Sequence, residues 1–553
     1  MPVIESKLVP LRGTSLVAGT WTAGKGDGFH AVDPSRGADL PTAFHPATDQ
    51  DIDAAARSAE EAFADLRARA PEERAKLLEA IAAGITALGD DLTRMVEAET
   101  GLARPRIAFE RERTTNTLRM FASEVRDGSW VDAAIDHGSL TRRPVAKPDV
   151  RSMLRPLGPV AVFGASNFPL AYSTAGGDTA SAFAAGCPVI VKGHPAHPGT
   201  GELVAGVIGE AIKKLALHPG TFSYLLSGGA REQDIGAALV RHPLVRAVGF
   251  TGSFGGGTAL AQIASERPEP IPVYAEMGSV NPVFVLPRAI EQKAGVIAEK
   301  LYGSVTGSLG QQCTCPGLVF VVRANETEDF LRALAQKFND ALPGVALSRR
   351  VRSAFVSRIN QVMAVEGVAA YAGSPEPGHR DGDDDKPGPV RCSPVLLRTS
   401  FETFRDNPTL REECFGPSTL VVVCANEEEM IEAVSHVNGS LTGSVFAGKH
   451  DANALRPLVD ALERRVGRLI FNGVPTGVEV CDAMVHGGPF PASNQPHTTA
   501  VGARAIRRWC RPVAYQNAPN VLLPPELREE NPMGVFRTVD GEMAVPESRE
   551  PKK

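Results

Sequence analysis

The chain has 553 residues, beyond the roughly 250 to 300 residues that one hydrophobic core supports, so two or three domains are expected. Its 43% hydrophobic and 22% charged content is that of an ordinary globular protein, and a net charge of −6 gives no bulk attraction to nucleic acid or to an anionic membrane. The eight cysteines (187, 313, 315, 392, 414, 424, 481 and 510) lack C-x-x-C pairing and are sparse for the length, which argues against a disulfide framework and a zinc site and for a reducing compartment.

The first seven residues, Met1-Pro2-Val3-Ile4-Glu5-Ser6-Lys7, show no basic region leading into an apolar one, and no stretch approaches eighteen apolar residues. A cytoplasmic protein without a membrane partner is the expectation. Residues 48–101 read as helix: Thr48 or Asp49 can cap, and Ile52, Ala56, Ala59, Phe63 and Leu66 recur at the three-and-four spacing of one buried face. Pro71 suits the first turn of a second helix, with Leu77, Leu78, Ile81 and Ile85 inside. Another helix runs through Arg113 and Phe121. Residues 141–154 alternate loosely and carry Arg142, Arg143, Lys147 and Arg151, which fits an edge strand or hairpin.

From 159 to 287 the character changes. Short apolar runs at 160–163, 189–191, 247–250 and 283–286 alternate with helix-length segments rich in Ala and Gly, the pattern of βα units around a buried parallel sheet. A second series, at 318–322 and 420–423, flanks helices near 327–341 and 427–437 and predicts another α/β domain. Residues 374–389, with Asp381-Gly382-Asp383-Asp384-Asp385, read as a solvated loop rather than a metal site, and no metal is expected. Beyond Gln516 a polar, Pro-rich surface tail is expected.

Cys313 lies in Gly310-Gln311-Gln312-Cys313-Thr314-Cys315-Pro316-Gly317, framed by small and polar residues that leave a thiol within reach of a substrate. Glu276, in Tyr274-Ala275-Glu276-Met277-Gly278, follows a segment that reads like the mouth of a nucleotide site. That segment, Phe250-Thr251-Gly252-Ser253-Phe254-Gly255-Gly256-Gly257, ends a strand and opens a helix, where glycines admit a phosphate to unpaired N–H groups. An ordinary tight turn has the same composition, and the G-x-G-x-x-G spacing is absent. Lys192 ends a strand where parallel sheets bind ligands, or is a solvated lysine. Asn167, in Gly164-Ala165-Ser166-Asn167-Phe168-Pro169, offers an amide at the same edge, or caps a helix.

In this order, the Asn-Phe-Pro at 167–169, Lys192, the Gly-x-x-x-x-Gly turn of Gly252 to Gly257, Glu276-Met277-Gly278, Gly-Gln-x-Cys at 310–313 and Glu412-Glu413-Cys414-Phe415-Gly416-Pro417 resemble the aldehyde dehydrogenase superfamily over essentially the whole chain. Further stretches, at 194–200, 474–480 with His486-Gly487-Gly488-Pro489, and 507–513, are similar to its 2,5-dioxovalerate (α-ketoglutarate semialdehyde) dehydrogenase branch, which also resembles NADP-linked fatty-aldehyde dehydrogenases.

The resemblance implies an α/β fold with a Rossmann-type cofactor domain (1–137 and 155–281), an α/β catalytic domain (282–485) and a small β oligomerisation element (138–154 and 486–515), with 516–553 as the tail. It implies that Cys313 attacks an aldehyde, that Asn167 and the Cys313 N–H hold the oxyanion, and that Glu276 activates the water that hydrolyses the resulting thioester. An ordinary thiol titrates near pH 8.5, so the nucleophile needs a base or positive charge beside it. Glu413 would bind the nicotinamide ribose and Phe415 pack near the ring, while Gly252, Ser253 and Gly257 surround the pyrophosphate. Many NAD-preferring relatives have a glutamate three residues after the strand-end lysine; here it is Pro195. With Lys192 unopposed and Arg231 close by, NADP is the expected cofactor, NAD remaining possible.

Cys315 is the rival nucleophile, but the motif frame selects Cys313. Arg113 is the candidate for a substrate carboxylate, and Phe168, Tyr172 and Phe490 for the tunnel wall. A homodimer or homotetramer is implied, with Trp509 and Val513 as apolar contacts. The competing readings are a broad-range or fatty aldehyde dehydrogenase, a noncatalytic cofactor-binding oligomer, and an acylating enzyme that passes the thioester to coenzyme A, which the retention of Glu276 disfavours.

Overall fold

Thr48 caps the helix Asp49–Ala68 with a complete capping box: its Oγ1 accepts from the Asp51 N–H at 3.1 Å, and Asp51 Oδ2 accepts from the Thr48 N–H at 2.8 Å. Ile52, Ala55, Ala56, Ala59 and Leu66 form its buried face. The helices Pro71–Ala87, Gly89–Thr100 and Arg104–Asp127 follow, the second opened by Pro71 and the last two closed by Gly101 and Gly128 in the left-handed conformation. The structure is a computed structural model that describes residues 8–24, 27–375, 388–449 and 451–544. The acidic loop Asp381 to Asp385 lies outside the described residues.

Five short apolar runs form the parallel core of a first sheet, in the order Val273–Glu276, Ala247–Thr251, Val160–Phe163, Val189–Lys192 and Phe222–Leu225. Ser15–Val17 and Thr20–Thr22 extend it antiparallel. In chain order the five parallel strands read 5-4-1-2-3, so the winding reverses between Val160–Phe163 and Ala247–Thr251, the switch point where open α/β sheets hold ligands. Asn167 follows one of these strands and Gly252 the other.

A second sheet runs Ala369–Gly373, Val395–Ser400, Ser418–Cys424, Leu318–Val322, Val283–Val285, Ser440–Phe446 and Val466–Phe471, parallel except for its first strand. The helix Pro287–Thr306 leaves its central strand and returns through a turn at Gly307–Gly310 to Leu318–Val322, placing Cys313 at the end of the sheet that faces the first domain.

A third sheet departs from expectation. Of the two readings of residues 141–154 the hairpin holds, since Val150–Pro156 pairs antiparallel with Ala133–Asp136 and Ser139 bridges Lys147 between them, but the strand is not an edge within the chain because Cys510–Gln516 pairs with its other side. The segment after Gln516 is not simply a surface tail either, because Arg537–Val539 pairs with Ala133–Asp136 and Glu542–Ala544 completes the sheet, while Leu523, Leu527 and Val535 are buried. Their spacing across a Pro-rich polar stretch gave no strand period to read. Trp509, expected at a subunit contact, is 0% exposed and donates from Nε1 to Ser181 Oγ at 2.8 Å, so it belongs to this chain's own core.

One buried carboxylate fixes the turn that carries Asn167, Phe168 and Tyr172. Glu110, on Arg104–Asp127, accepts from the N–H groups of Leu170 and Ala171 at 2.8 and 2.9 Å and pairs with Arg106 at 2.7 Å. Glu110→Ala leaves two buried donors unpaired, at a cost of about 3 kcal/mol. A thermal melt should show the unfolding temperature several degrees lower; an unchanged melt would refute the anchoring role.

Candidate active site

The nucleophile turn is held in unusual backbone geometry. Ser308, Leu309 and Gly310 are consecutive left-handed residues with φ of 50, 55 and 62°, a conformation that surrounding contacts must enforce for the two non-glycine residues. A Cβ at Gly310 would fall 2.2 Å from the Gly416 carbonyl oxygen, so only glycine fits. Gln311 supplies part of the enforcement, its Nε2 donating to the Ser308 carbonyl at 3.2 Å and its Oε1 accepting from the Leu347 N–H at 2.9 Å, and the loop beyond it is anchored by Asn281. It is fully buried, and its Nδ2 donates to the carbonyls of Cys313 at 2.8 Å and Cys315 at 3.0 Å, while Oδ1 accepts from Ser279 and Thr442 hydroxyls at 2.9 Å each.

Cys313 Sγ lies 3.5 Å from His486 Nε2, and His486 Nδ1 lies 3.4 Å from Glu276 Oε2. One imidazole thus bridges thiol and carboxylate. Among the described residues neither His486 Nδ1 nor Glu276 Oε2, both buried, makes a hydrogen bond of good geometry, so their 3.4 Å contact is an ion-pair approach. Burial disfavours the imidazolium, but the negative charge at Cys313 and the hydrogen bonds and charge of Cys313 and Glu276 outweigh it and raise His486 to about 9. The segment that carries it is well anchored: the His486 N–H donates to Thr499 Oγ1 at 2.9 Å, its carbonyl accepts from Ala500 at 2.7 Å, and Ser493 bridges the backbone of Glu276.

Asn167 Nδ2 donates one hydrogen to the Gln311 carbonyl at 3.0 Å, two residues before the nucleophile, and has a second to offer. The Cys313 N–H has no acceptor among the described residues. Cys315 is buried, its thiol pushed far up by that burial and turned toward the Val305 and Gly416 carbonyls. It is a packing residue of the loop.

Arg113, Phe168 and Tyr172 form one group. The two rings meet edge to face at 5.0 Å, Arg113 Nη2 donates to Tyr172 Oη at 2.8 Å, and the Tyr172 ring lies 6.2 Å from that of His486. Phe490 is elsewhere: 59% exposed, it meets Phe254 at 5.6 Å on the first turn of the glycine-rich helix.

The helix Phe254–Ser265 begins at that turn, capped by Ser253 Oγ, which accepts from Gly256 at 3.3 Å. A Cβ at Gly255 would meet nothing within 4 Å, so the turn is open to a ligand, whereas one at Gly257 would fall 2.7 Å from Met277 Sδ, so that glycine seats the helix on its strand. Glu413 accepts from the Ser279 N–H at 3.3 Å; burial raises its carboxyl to about 7 against that hydrogen bond. It shares a small cleft with Ser279, Gln312, Cys315 and Phe415. An open helix N-terminus and a buried, under-bonded carboxylate beside the thiol fit the phosphates and a ribose of a nicotinamide dinucleotide. Contrary to the expectation from sequence, Lys192 is not unopposed: Glu232 Oε1 is 4.0 Å away, and burial brings the ammonium down to about 8. Arg231 is held by Asp49 at 2.5 Å and by the Ala47 carbonyl at 3.1 Å.

Sequence reasoning missed three residues here. His486 stood in a segment singled out only for its resemblance, although it is the one titratable side chain before Gly487-Gly488-Pro489. Asn281 and Arg468 carried no local signal.

A bridged thiol at the edge of one α/β sheet, facing a dinucleotide-type turn on another, defines an oxidoreductase with covalent cysteine catalysis. The aldehyde dehydrogenase family model matches residues 21–489, and the chain belongs to that family. It is 44% identical over 533 residues to alpha-ketoglutaric semialdehyde dehydrogenase 2 of Azospirillum brasilense, covering 96% of this chain and 99% of the relative. It is 40% identical to alpha-ketoglutaric semialdehyde dehydrogenase of Acinetobacter baylyi, covering 90% and 92%. Among solved structures, a mutant of aldehyde dehydrogenase C from Pseudomonas syringae, complexed with NAD+ and octanal, shares the fold with a TM-score of 0.77 at 21% identity, covering 93% of this chain and 99% of that one. The family oxidises aldehydes to carboxylates with NAD(P), and this chain is such an enzyme.

The raised value of His486 sets a pH window. Relative to about 6.5 for an unfolded histidine, stabilisation by the bridge is complete below pH 6.5 and is lost as pH rises through about 9. His486→Asn should therefore slow iodoacetamide alkylation of Cys313 at pH 7 by tenfold or more, as followed by peptide mass spectrometry, with the difference closing above pH 9. Equal rates at pH 7 would show that the imidazole does not activate the sulfur.

Proposed function

We propose that this enzyme oxidises α-ketoglutaric semialdehyde (2,5-dioxopentanoate) to 2-oxoglutarate through a thioester on Cys313. The observation that carries the chemistry is the line Cys313–His486–Glu276, with contacts of 3.5 and 3.4 Å. The substrate reading is supported by the 44% and 40% identical relatives of that name, which match nearly the whole chain, and by the cationic Arg113 in the ring group beside the thiol.

His486, positively charged at neutral pH, holds negative charge on Sγ. The sulfur adds to the aldehyde carbon, and the oxyanion that forms accepts from the second Nδ2 hydrogen of Asn167 and from the Cys313 N–H. The bound dinucleotide supplies the hydride acceptor. Glu276 then takes a proton from the water that attacks the thioester, with His486 beside it to spread the charge, and the carboxylate product leaves the sulfur free again. Because Glu276 is already within contact of His486, a shorter Asp at 276 would lose that reach.

The cofactor reading is NADP+ in preference to NAD+. Gly252 and Ser253, at the open end of the glycine-rich turn, would hold the pyrophosphate with Gly257 seating the helix behind them, Glu413 would hold the nicotinamide ribose, and Phe415 would lie near the ring. Pro195 puts no carboxylate where a 2′-phosphate would sit, and such a phosphate would compete with Glu232 for Lys192 and with Asp49 for Arg231, the acidic partner being the more exposed member of each pair. Residues 1–137 and 155–281 serve the cofactor and 282–485 the chemistry. A homodimer or homotetramer forms through the third sheet, where Val513 is half-exposed and the adjoining Leu140 and Val145 are 87% and 67% exposed. Eight unpaired cysteines fit a reducing cytoplasm.

A substrate panel followed by the absorbance of the reduced nicotinamide checks both halves of this reading. Higher kcat/KM for 2,5-dioxopentanoate than for decanal, and for NADP+ than for NAD+, is the expected result. A preference for decanal removes the substrate, and a tenfold preference for NAD+ removes the cofactor assignment. Glu276→Gln should accumulate an acyl adduct at Cys313, visible by mass, while Cys313→Ala abolishes turnover and Cys315→Ala does not. The absence of any adduct in Glu276→Gln would sink the thioester mechanism.

A further inference from the structure

The pocket beside Cys313 gathers two guanidinium groups, and neither forms an ion pair with a carboxylate among the described residues. Arg113 approaches from the helix Arg104–Asp127. Its Nη2 donates to Tyr172 Oη at 2.8 Å and its guanidinium carbon lies 5.4 Å from the centre of that ring. The Tyr172 ring lies 6.2 Å from His486, which touches the nucleophile.

Arg468 approaches from the other domain. It sits on Val466–Phe471, the last strand of the second sheet, in register with Thr442. The neighbouring Gly467 packs so closely on the His486 segment that a Cβ there would fall 1.9 Å from the Gly487 carbonyl oxygen. The strand is therefore seated directly against the chain that positions the bridging imidazole. Arg468 Nη1 donates to the Gly477 carbonyl at 3.1 Å and Nη2 to the Pro475 carbonyl at 2.7 Å. These two bonds fix the plane of the fork and leave three of its five N–H groups to meet a ligand.

Burial lowers the pKa of Arg468, the sites at Cys313 and Tyr172 oppose that, and the positive charge of Arg113 adds to it. Two like charges sharing a half-buried pocket repel each other at a cost that an anion between them removes. A planar 2-oxo carboxylate presents adjacent oxygens that match a guanidinium fork, and the extended five-carbon chain spans only about 5 Å between its end carbons, given C–C bonds of about 1.5 Å. An anionic head on the arginines thus leaves the aldehyde end directed toward the sulfur.

We infer that Arg468, acting with Arg113, clamps the 2-oxo carboxylate of the substrate and is the residue that selects this substrate over neutral aldehydes. This inference rests on the substrate reading above and deepens it. The site would take short ω-aldehydes that carry a carboxylate at the far end.

The test is a comparison of kcat/KM for 2,5-dioxopentanoate and for pentanal, a neutral aldehyde of equal length, in the full-length parent, Arg468→Gln and Arg468→Lys with saturating dinucleotide. The ratio of the two values should fall on the order of 30-fold or more in Arg468→Gln, mainly through KM for the anionic substrate, and recover in part in Arg468→Lys. 2-Oxoglutarate should inhibit pentanal oxidation by the parent and much less by Arg468→Gln, a readout that a merely structural residue would not move. A parent that prefers the anionic substrate together with a Gln variant that keeps both the preference and the inhibition overturns the clamp and leaves the functional reading intact. A parent without that preference overturns the functional reading, and the clamp with it.

Discussion

A sulfur that must carry negative charge in a half-buried pocket needs a fixed positive charge beside it, and the active centre of this chain is organised around that requirement. His486 meets it. Because the imidazole sits between Cys313 and Glu276, each anionic group favours its charged form, and the pair of them overcomes the penalty of burying it. The carboxylate also fixes the tautomer and direction of the ring, the role that a third group plays wherever a nucleophile and base act together.

The arrangement constrains the fold on three sides. Glu276 is the last residue of an edge strand of the first sheet, so its reach is set by the register of that strand. Cys313 belongs to the second domain and is held by Asn281, whose Nδ2 donates to the carbonyls of Cys313 itself and of Cys315. His486 comes from a segment that crosses between them, fastened to the Glu276 strand by Ser493 and Asn494 and to its own loop by Thr499. No single element could hold all three groups, because a strand end and a strained turn on separate sheets meet only where the two domains close on each other. The left-handed run Ser308 to Gly310 is the local cost of aiming the thiol out of that turn, and the hydrogen bonds of Asn281 and Gln311 offset it.

Where function rested on local pattern, the sequence was informative. Apolar runs bounded by Gly and Pro marked the parallel strands; Thr48 announced its helix through a capping box; the small residues around Cys313 marked an accessible thiol. What could not be read were relations across the chain. His486 and Cys313 are 173 residues apart, and nothing near either one signals the other. Arg468 sits in an apolar strand whose alternation predicts only that one face is polar. Arg231 and Lys192 carried the right charge for a phosphate, but Asp49 and Glu232, which meet them, became visible only once the helices were packed. The strands after Gln516 escaped notice because three-residue segments such as Arg537–Val539 are too short to show a period.

The positive groups around the sulfur also separate what is general in this chemistry from what is particular. Thiol, acid and amide, with a dinucleotide to accept the hydride, would serve an aldehyde of any kind, and they act on one carbon. Selection has to come from the remainder of the substrate, and a five-carbon keto acid offers only an anionic head for that purpose. In a chain with a net charge of −6, two arginines without acidic partners among the described residues stand against the overall charge, and in the proposed clamp their local field would favour an anion that the rest of the surface repels. The oxidation then changes the charge at the reacting end as well: it converts a monoanion into a dianion, with a second carboxylate where the substrate had a neutral aldehyde. Charge at the far end of the pocket thus bears on how tightly substrate and product are held, while the equilibrium of the oxidation is set by the reactants and products themselves.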